Sequence, residues 1–188
     1  MTMILPIRAG IISASDRASR GEREDQSGLL LKSLAEGLPA EVIAYRVVPD
    51  DRGTLKRLFI HLADHFACDL ILTTGGTGLG PRDHTPEATM DAIDKEVPGI
   101  PEAIRQAGLQ KTKFALLSRL TAGVRGATLI VNLPGSPEAV RDAFEVLRPV
   151  LGHTVHLLRG EVKDCREEKE TEWKGPLPTF SHSSHSPS

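Results

Sequence analysis

The feature that most constrains the fold is an alternation of short apolar runs with segments of helical spacing between residues 7 and 160. Runs such as IRAGIIS and DLILTT are rich in Ile and Leu and have the length of single buried strands. Segment 54–67 instead carries apolar residues three and four positions apart, which predicts an amphipathic helix. Strands that alternate with helices predict an α/β fold around a mostly parallel sheet, because each parallel pair requires a crossover. The strand candidates are 7–13, 41–48, 69–74, 114–123 and 127–133, and the helix candidates are 26–37, 54–67, 86–96, 99–108 and 136–160, with a break or kink at Pro149.

One pair of strand candidates, 114–123 and 127–133, is separated only by the residues VRG. This connection is too short for a helical crossover, so a β-hairpin or a locally antiparallel edge is expected there. The predicted sheet is therefore mostly parallel, with a small antiparallel part.

The length of 188 residues favours one domain with a core of its own, followed by a tail. The composition changes near residue 164, where DCREEKETEWKGPLPTFSHSSHSPS is charged at first and then rich in Pro, Ser and His. Such a segment has too little apolar area to offset the entropy that ordering would remove. We therefore expect an α/β domain over residues 1–163 and a mobile tail over residues 164–188.

Charge, hydropathy and cysteine usage narrow the partners and the compartment. The formal net charge is −2, basic and acidic residues are interleaved, and Tyr45 and Trp173 are the only Tyr and Trp, so nucleic acid is a poor candidate partner. No apolar run approaches the roughly 18 residues of a membrane span, so no membrane partner is expected. Cys68 and Cys165 lie far apart and form no CxxC motif, which favours a reducing cytoplasm.

The most informative motif is TTGGTGLGPRDHTPEAT at residues 73–89, directly after an apolar strand candidate. Glycines permit positive φ and let a ligand approach backbone N–H groups. Thr85 as N-cap with Pro86 at the first helical position predicts a helix start, and helix N-termini bind anions. The order of strand, glycine loop and helix predicts a phosphate-binding loop, with a plain glycine-rich turn as the alternative. Pro81 stands where a Walker A loop has Lys and where a dinucleotide fingerprint has its last Gly, so neither common motif is present.

Asp83 lies inside this loop. A carboxylate beside a phosphate site repels the ligand unless a cation lies between them, which makes Asp83 a candidate Mg²⁺ ligand. The alternative is a turn residue that accepts a hydrogen bond from a nearby amide. Arg82 is a candidate either to neutralise Asp83 or to bind phosphate.

Three other strand candidates also end in small, polar or acidic residues. SASDR follows the first strand, PDD follows the second, and NLPGSPEA follows the last with Ser136 as the predicted N-cap. The carboxyl ends of parallel strands lie on one edge of the sheet, which is where α/β folds bind ligands. The resulting constellation is Ser13, Asp16, Asp50, the glycine loop, Asp83, Asn132, Gly135 and Ser136.

In order along residues 5–163, the motifs ISASDRASRG, VVPDD, DLILTTGGTGLGPRDHTPEAT, TLIVNLPGSP and LLRGE resemble the molybdopterin-binding family of molybdenum cofactor biosynthesis proteins. TTGGTG followed by RDxTPEAT is the most specific of these motifs. The resemblance is to the single-domain adenylyltransferases of the family. It implies a three-layer α/β/α sandwich with a mostly parallel sheet and a small antiparallel hairpin, assembled as a homotrimer.

The same resemblance implies transfer of AMP from ATP to the terminal phosphate of molybdopterin, with release of pyrophosphate. ATP and molybdopterin are then the substrates, Mg²⁺ is the cofactor, and a molybdenum insertase is an expected partner. Asp50 and Asp83 match the acidic pair that supports catalysis and holds Mg²⁺. The positions that match the nucleotide and pterin site are Ser13, Asp16, Thr74, Gly75, Gly76, Thr77, Gly78, Thr85, Ser118, Arg119, Asn132, Pro134, Gly135 and Ser136.

Several alternatives stay open from the sequence alone. Asp50 is followed by Asp51, and either aspartate can face the site. The same domain can also serve a carrier that binds molybdopterin without catalysis, or a hydrolase of nucleotide pyrophosphates. His61 and His65 have the i, i+4 spacing of metal ligands on a helix, but no third ligand lies nearby in the sequence, so a surface histidine pair is the favoured interpretation.

Overall fold

The computed structural model describes residues 6–162, so the domain boundary at residue 163 and the tail at 164–188 lie outside the described residues. The elements in chain order are β1 (Ile7–Ala14), α1 (Asp16–Ser19), α2 (Gln26–Glu36), β2 (Ala40–Val48), α3 (Arg52–Asp64), β3 (Leu70–Thr74), α4 (Thr85–Met90), β4 (Lys95–Glu96), α5 (Gly99–Leu109), a 3₁₀ helix (Lys113–Leu117), β5 (Ala122–Arg125), β6 (Thr128–Leu133) and α6 (Pro137–Leu158).

The strands form one mixed sheet in the order β2-β1-β3-β6-β5-β4. β2, β1, β3 and β6 are parallel, whereas β5 pairs antiparallel with β6 and with β4. The sheet confirms the predicted combination of a mostly parallel sheet and a small antiparallel part. The hairpin between β5 and β6 turns at Gly126, which has a φ of +55°.

Helices cover both faces of this sheet, which gives the predicted three-layer sandwich. Ile11, Leu72 and Val131 point to the face covered by α2, α5 and α6, whereas Ile12 and Ile71 point to the face covered by α3 and α4. The central strands β1, β3 and β6 are therefore buried on both faces, as their continuous apolar runs predict, whereas β2 at the edge is only partly buried. Each core also encloses a fully buried phenylalanine, Phe144 on α6 and Phe59 on α3. Burial of each such side chain contributes about 1.5–3 kcal/mol.

Two predicted elements are wrong in part. The strand expected at 114–123 begins only at Ala122. Residues 114–117 belong instead to the 3₁₀ helix, which starts where the Thr112 hydroxyl accepts a hydrogen bond from the Phe114 amide (3.3 Å). The apolar run at 114–117 does not enter the core, since Phe114 and Leu116 are 65% and 68% exposed. The helix expected at 86–96 ends at Met90. The last two positions of the predicted segment, Lys95 and Glu96, form β4 instead.

Proline has different effects at the ends and in the interior of the helices. Ser136 caps α6 by accepting a hydrogen bond from Ala139 N, and Pro137 follows at the first helical position, as predicted. Pro149 does not break α6, which continues to Leu158.

Among residues 6–162, no helix is both long and apolar enough to cross a bilayer.

Candidate active site

The register of the parallel strands brings four loops to one edge of the sheet. Ser13 of β1 pairs with Thr74 of β3, and Thr74 pairs in turn with Leu133 of β6. On the other side of β1, Ala14 pairs with Val48 of β2. The segments that follow β1, β2, β3 and β6 therefore meet at the carboxyl edge of the sheet, where ligands bind in folds of this class.

The glycine loop, residues 75–84, connects β3 to α4 without regular structure. Gly75 and Gly76 have φ values of +90° and +64°, in the left-handed region that favours glycine. A Cβ at Gly75 would lie 2.3 Å from the carbonyl oxygen of Ala14, and a Cβ at Gly76 would lie 2.0 Å from Oδ2 of Asp50. The end of β1 and the segment after β2 thus approach the loop so closely that no side chain fits at either position.

Asp50 and Asp51 have separate roles. Asp51 is exposed and caps α3 by accepting a hydrogen bond from Thr54 N at 2.8 Å. Asp50 is 5% exposed, and its Oδ1 accepts a hydrogen bond from the amide of His84 at 2.9 Å. Its other oxygen, Oδ2, lies against Gly76. Asp50 is therefore the aspartate that faces the glycine loop.

The surroundings of Asp50 disfavour its negative charge. Burial raises the pKa of Asp50 to about 6; the hydrogen bond from His84 opposes this shift, and the negative charge of Asp83 adds to it. A cation bound beside Asp50 would favour the ionised form of its carboxyl group.

Asp83 is half-buried and closes a turn within the glycine loop. Its Oδ2 accepts a hydrogen bond from Gly80 N (2.8 Å), and its own amide donates to the carbonyl oxygen of Gly80 (3.0 Å). The turn role that the sequence left as an alternative is thus present. Oδ1 of Asp83 accepts no hydrogen bond within residues 6–162, so one oxygen remains available for a ligand.

Arg82 neutralises Asp16 rather than Asp83. Its Nε and Nη2 donate to the two oxygens of Asp16, each at 3.0 Å, and this guanidinium lowers the pKa of the Asp16 carboxyl. Oδ1 of Asp16 also accepts a hydrogen bond from the amide of Asp50 at 3.1 Å. Asp16 therefore joins the loop after β1 both to Asp50 and to the glycine loop.

A small polar cavity of about 160 Å³ lies next to the glycine loop. It is lined by four of the predicted site residues, namely Ser13, Thr74, Gly75 and Gly135. Ser27 also lines it and donates from its hydroxyl to the carbonyl oxygen of Gly135 at 2.7 Å. This cavity has the size and polarity for a compact polar group.

A larger and more apolar cavity of about 390 Å³ lies between α5, the 3₁₀ helix and α6. Ser118, Pro134 and Ser136, all predicted site residues, line it together with apolar residues such as Ile104 and Phe114. The carbonyl oxygen of Pro134 accepts a hydrogen bond from the hydroxyl of Thr74 at 2.6 Å. Because Thr74 lines the polar cavity, this bond links the walls of the two cavities.

Beyond the aspartates and the loop glycines Gly76 and Gly78, four other predicted site residues lie outside both cavities. Asn132 is fully buried, and its Nδ2 donates to the hydroxyls of Thr73 (3.1 Å) and Thr89 (2.9 Å), which ties β6 to β3 and α4. Thr77 is buried as well. Thr85 is not the N-cap of α4, because the helix starts one residue early, at Thr85 itself, with His84 at the cap position. Its fully buried hydroxyl has no hydrogen-bond partner within the described range.

Arg119, the fourth of these residues, uses its guanidinium within the protein. Nε donates to the carbonyl oxygen of Gly78 and Nη2 to that of Asp83, each at 2.7 Å, while Nη1 pairs with the carboxylate of Glu87. These contacts direct the charge of Arg119 toward the loop and not toward either cavity.

Two residues of the site region were not among the predictions. Asp25 caps α2 by accepting a hydrogen bond from Gly28 N, and it also accepts from Ser13 Oγ (2.8 Å) and Tyr45 Oη (2.5 Å). The position of Asp25 directly before a helix candidate is an N-cap signal that identifies it. Tyr45 carries no comparable signal, because its contact with Asp25 bridges a strand and a distant helix cap.

The structure adds no third protein ligand from residues 6–162 to either candidate metal site, Asp50 with Asp83 or His61 with His65. Within residues 6–162, no group of three or more His, Cys, Asp or Glu side chains is arranged to hold a metal ion. His61 and His65 are exposed on α3, with ring centroids 5.2 Å apart. The assignment of Asp50 and Asp83 as Mg²⁺ ligands stays a prediction.

Comparisons with known proteins agree on one family. A family model described as a probable molybdopterin binding domain matches residues 10–153. The molybdopterin adenylyltransferase of Helicobacter pylori strain J99 is 41% identical over 165 residues, which cover 86% of this chain and 93% of the relative. That of Escherichia coli K12 is 36% identical over 85% of this chain and 83% of the relative. The crystal structure of the molybdopterin biosynthesis enzyme MoaB from Thermus thermophilus has a TM-score of 0.77 and 51% identity, over 82% of this chain and 97% of that one.

Proposed function

The chain belongs to the molybdopterin-binding domain family, and from this membership we propose that it is a molybdopterin adenylyltransferase of molybdenum cofactor biosynthesis. It transfers AMP from ATP to the terminal phosphate of molybdopterin and releases pyrophosphate. The observation that carries the proposal is the convergence of Asp50 and Asp83 on a glycine loop in which Gly75 and Gly76 leave no room for a side chain. A protein that only binds the pterin has no need for two carboxylates beside a phosphate site, whereas an enzyme that uses Mg-ATP does.

The reaction places few demands on proton transfer. An oxygen of the molybdopterin phosphate, already ionised near neutral pH, forms a bond to the α-phosphorus of ATP while the bond from that phosphorus to the β-bridging oxygen breaks. Pyrophosphate leaves with the bonding electrons. Repulsion between two anions and the charge that builds on the leaving group limit the rate, and positioned donors and cations reduce both. This chemistry explains a site with carboxylates and backbone amides but no paired general acid and base.

The donor set fits Mg²⁺. Neither Asp50 Oδ2 nor Asp83 Oδ1 accepts a hydrogen bond from residues 6–162, and the ligands that Mg²⁺ prefers are one or two carboxylates with phosphates and water. When bound, the cation would neutralise charge on the substrate phosphates. Asp50 is kept in place by the amide of His84, and Asp83 by the amide of Gly80.

The two cavities support the binding of two substrates. The polar cavity at Ser13, Thr74, Gly75 and Gly135 suits a compact polar group, and the larger cavity at Ser118, Pro134 and Ser136 suits a flat ring system. Asp16, Gly76, Thr77, Gly78, Thr85, Arg119 and Asn132 shape the loop and strand ends between them. By family membership we also expect a cytoplasmic homotrimer that delivers its product to a molybdenum insertase; sedimentation analysis tests the assembly.

The decisive experiment uses the purified protein with Mg-ATP, in the presence and absence of molybdopterin. Pyrophosphate release and formation of the adenylylated pterin are followed together. Release that depends on the pterin, with adduct formed, supports the proposed reaction. Release without pterin would identify a nucleotide hydrolase instead. Pterin binding without release would identify a carrier, and would contradict the roles given to Asp50 and Asp83.

A further inference from the structure

One arginine connects both ends of the glycine loop. The guanidinium of Arg119 donates to the carbonyl oxygen of Gly78 near the beginning of the loop and to that of Asp83 near its end, each at 2.7 Å. The backbone amide of Arg119 donates to the carbonyl oxygen of Thr77 at 2.9 Å. Three backbone groups of the loop are thus bound to one residue from the segment before β5.

Apart from Arg119, the loop is held to the rest of the domain by the pairing of its Arg82 with Asp16. Residues 79–82 are exposed and belong to no helix or strand. The contacts inside the loop are local, between Gly80 and Asp83. The next residue after Asp83, His84, donates its amide to Asp50, so the path of the chain at 83–84 sets the position of both carboxylates.

Arg119 is itself fixed from two sides. Glu87 in the first turn of α4 forms an ion pair with it, and both side chains are about one-third exposed (33% and 35%). On the other side, Arg105 of α5 donates to the carbonyl oxygen of Leu120 at 3.1 Å and to that of Ser118, the residues on either side of Arg119. The planar guanidinium presents several donors in fixed directions, which a lysine ammonium cannot reproduce.

We propose that Arg119 and Glu87 form a positioning pair that holds the glycine loop in the shape in which Asp83 lies beside Asp50. The pair does not touch the reacting atoms; it determines how well the two carboxylates receive a cation together with the nucleotide. This inference rests on the proposed function and adds to it a residue pair that acts through the loop. Residues that orient the groups around a cation typically affect its affinity by about 10–100-fold when they are replaced.

The test compares Arg119→Lys with Arg125→Lys in the full-length protein. Arg125 is a matched control, because it also pairs with a carboxylate, that of Asp64, and donates to a backbone carbonyl, that of Ala92. It lies at the β5–β6 turn, at the opposite edge of the sheet from the glycine loop. Binding of Mn²⁺ with α,β-methylene-ATP, whose α–β linkage resists cleavage, is measured from the free Mn²⁺ signal in electron paramagnetic resonance.

We expect Arg119→Lys to weaken binding of the Mn²⁺–nucleotide complex about 10-fold, and Arg125→Lys to leave it unchanged. Glu87→Gln should act in the same direction, and the double variant should lose less than the product of the two single effects, because the residues act as a unit. Glu87→Gln also decides the matter if Arg119→Lys fails to fold, since Glu87 makes no contact with the carbonyl groups of the loop.

Unchanged Mn²⁺–nucleotide binding in Arg119→Lys would overturn the proposal. So would a higher KM for molybdopterin with unchanged Mn²⁺–nucleotide binding, because that pattern assigns Arg119 to direct contact with substrate. Absence of binding by the unsubstituted protein would overturn it as well. If the unsubstituted protein binds the complex but forms no adenylylated pterin, and the variants still differ in binding, the proposed function fails while the positioning role stands.

Discussion

Gly76→Ala tests the close approach of the glycine loop to Asp50. Gly76 has a φ of +64°, and a Cβ there would lie 2.0 Å from Oδ2 of Asp50 and 2.3 Å from the hydroxyl oxygen of Thr85. Gly126→Ala is the matched control. Gly126 has a φ of +55°, and a Cβ there would meet no atom within 4 Å. The two variants share the backbone strain, and only the first adds a collision at the site.

The structure gives the expected sizes of both effects. A left-handed backbone costs an Ala residue roughly 1–2 kcal/mol, which is the whole effect expected at Gly126. At Gly76 the Asp50 carboxylate must also move, which breaks its hydrogen bond from His84. A hydrogen bond to a charged group is worth about 1.5–3 kcal/mol. The expected losses in free energy of unfolding are therefore about 1–2 kcal/mol for Gly126→Ala and about 3–5 kcal/mol for Gly76→Ala.

Thermal unfolding and AMP transfer are the two measurements. For a domain of this size, each kcal/mol lowers Tm by roughly 2–4 °C, so Gly76→Ala should unfold roughly 6–20 °C lower and Gly126→Ala roughly 2–8 °C lower. AMP transfer at a temperature where both variants are folded should be lost in Gly76→Ala and retained in Gly126→Ala. Equal Tm values and equal activities for the two variants would show that the approach of Asp50 to the loop has no consequence.

Three further predictions concern the carboxylates and the tail. Asp83→Asn should abolish AMP transfer while molybdopterin binding stays nearly intact; lost pterin binding with retained transfer would contradict the assignment. Asp50→Asn should abolish transfer and yet be more stable than the unsubstituted protein by about 1–2 kcal/mol at pH 8 once solvent screening is allowed for. The pKa of Asp50 is raised from 3.8 to about 6, so the folded state loses stability as pH rises through this range, and the advantage of Asn in denaturant titrations should vanish near pH 4. Its control is Asp51→Asn, which should retain both activity and stability because Asn also caps helices. Removal of residues 164–188 should leave AMP transfer unchanged; an inactive truncated protein would show that the tail contributes to the site.

Most of the sheet could be predicted from the sequence because its central strands, β1, β3 and β6, are buried on both faces. Continuous apolar runs such as DLILTT leave few alternatives to a central strand. The strand predicted at 114–123 is wrong at 114–117 because this apolar run is exposed and not buried. Its apolar residues lie largely at the surface of the 3₁₀ helix, and apolar composition alone does not distinguish an exposed turn from a buried strand.

The candidate site also contains features that could be predicted from the sequence and features that could not. The strand ends and the glycine loop are local features, so their residue types predicted an edge rich in backbone amides and carboxylates. The roles of individual side chains depend on contacts distant in sequence. The pairs Asp50 with His84, Arg82 with Asp16 and Arg119 with Gly78 are 34, 66 and 41 positions apart.

These distant contacts also explain why several predicted ligand residues turn inward. A strand end must both present groups to a ligand and keep the adjacent loops in place, and polar side chains serve either purpose. Asn132 bonds to Thr73 and Thr89 and so fixes the position of α4, whose first turn carries Glu87. Glu87 pairs with Arg119, and Arg119 binds the loop that carries Asp83. The polar residues of the motif therefore form a connected support from the sheet to the loop that carries Asp83.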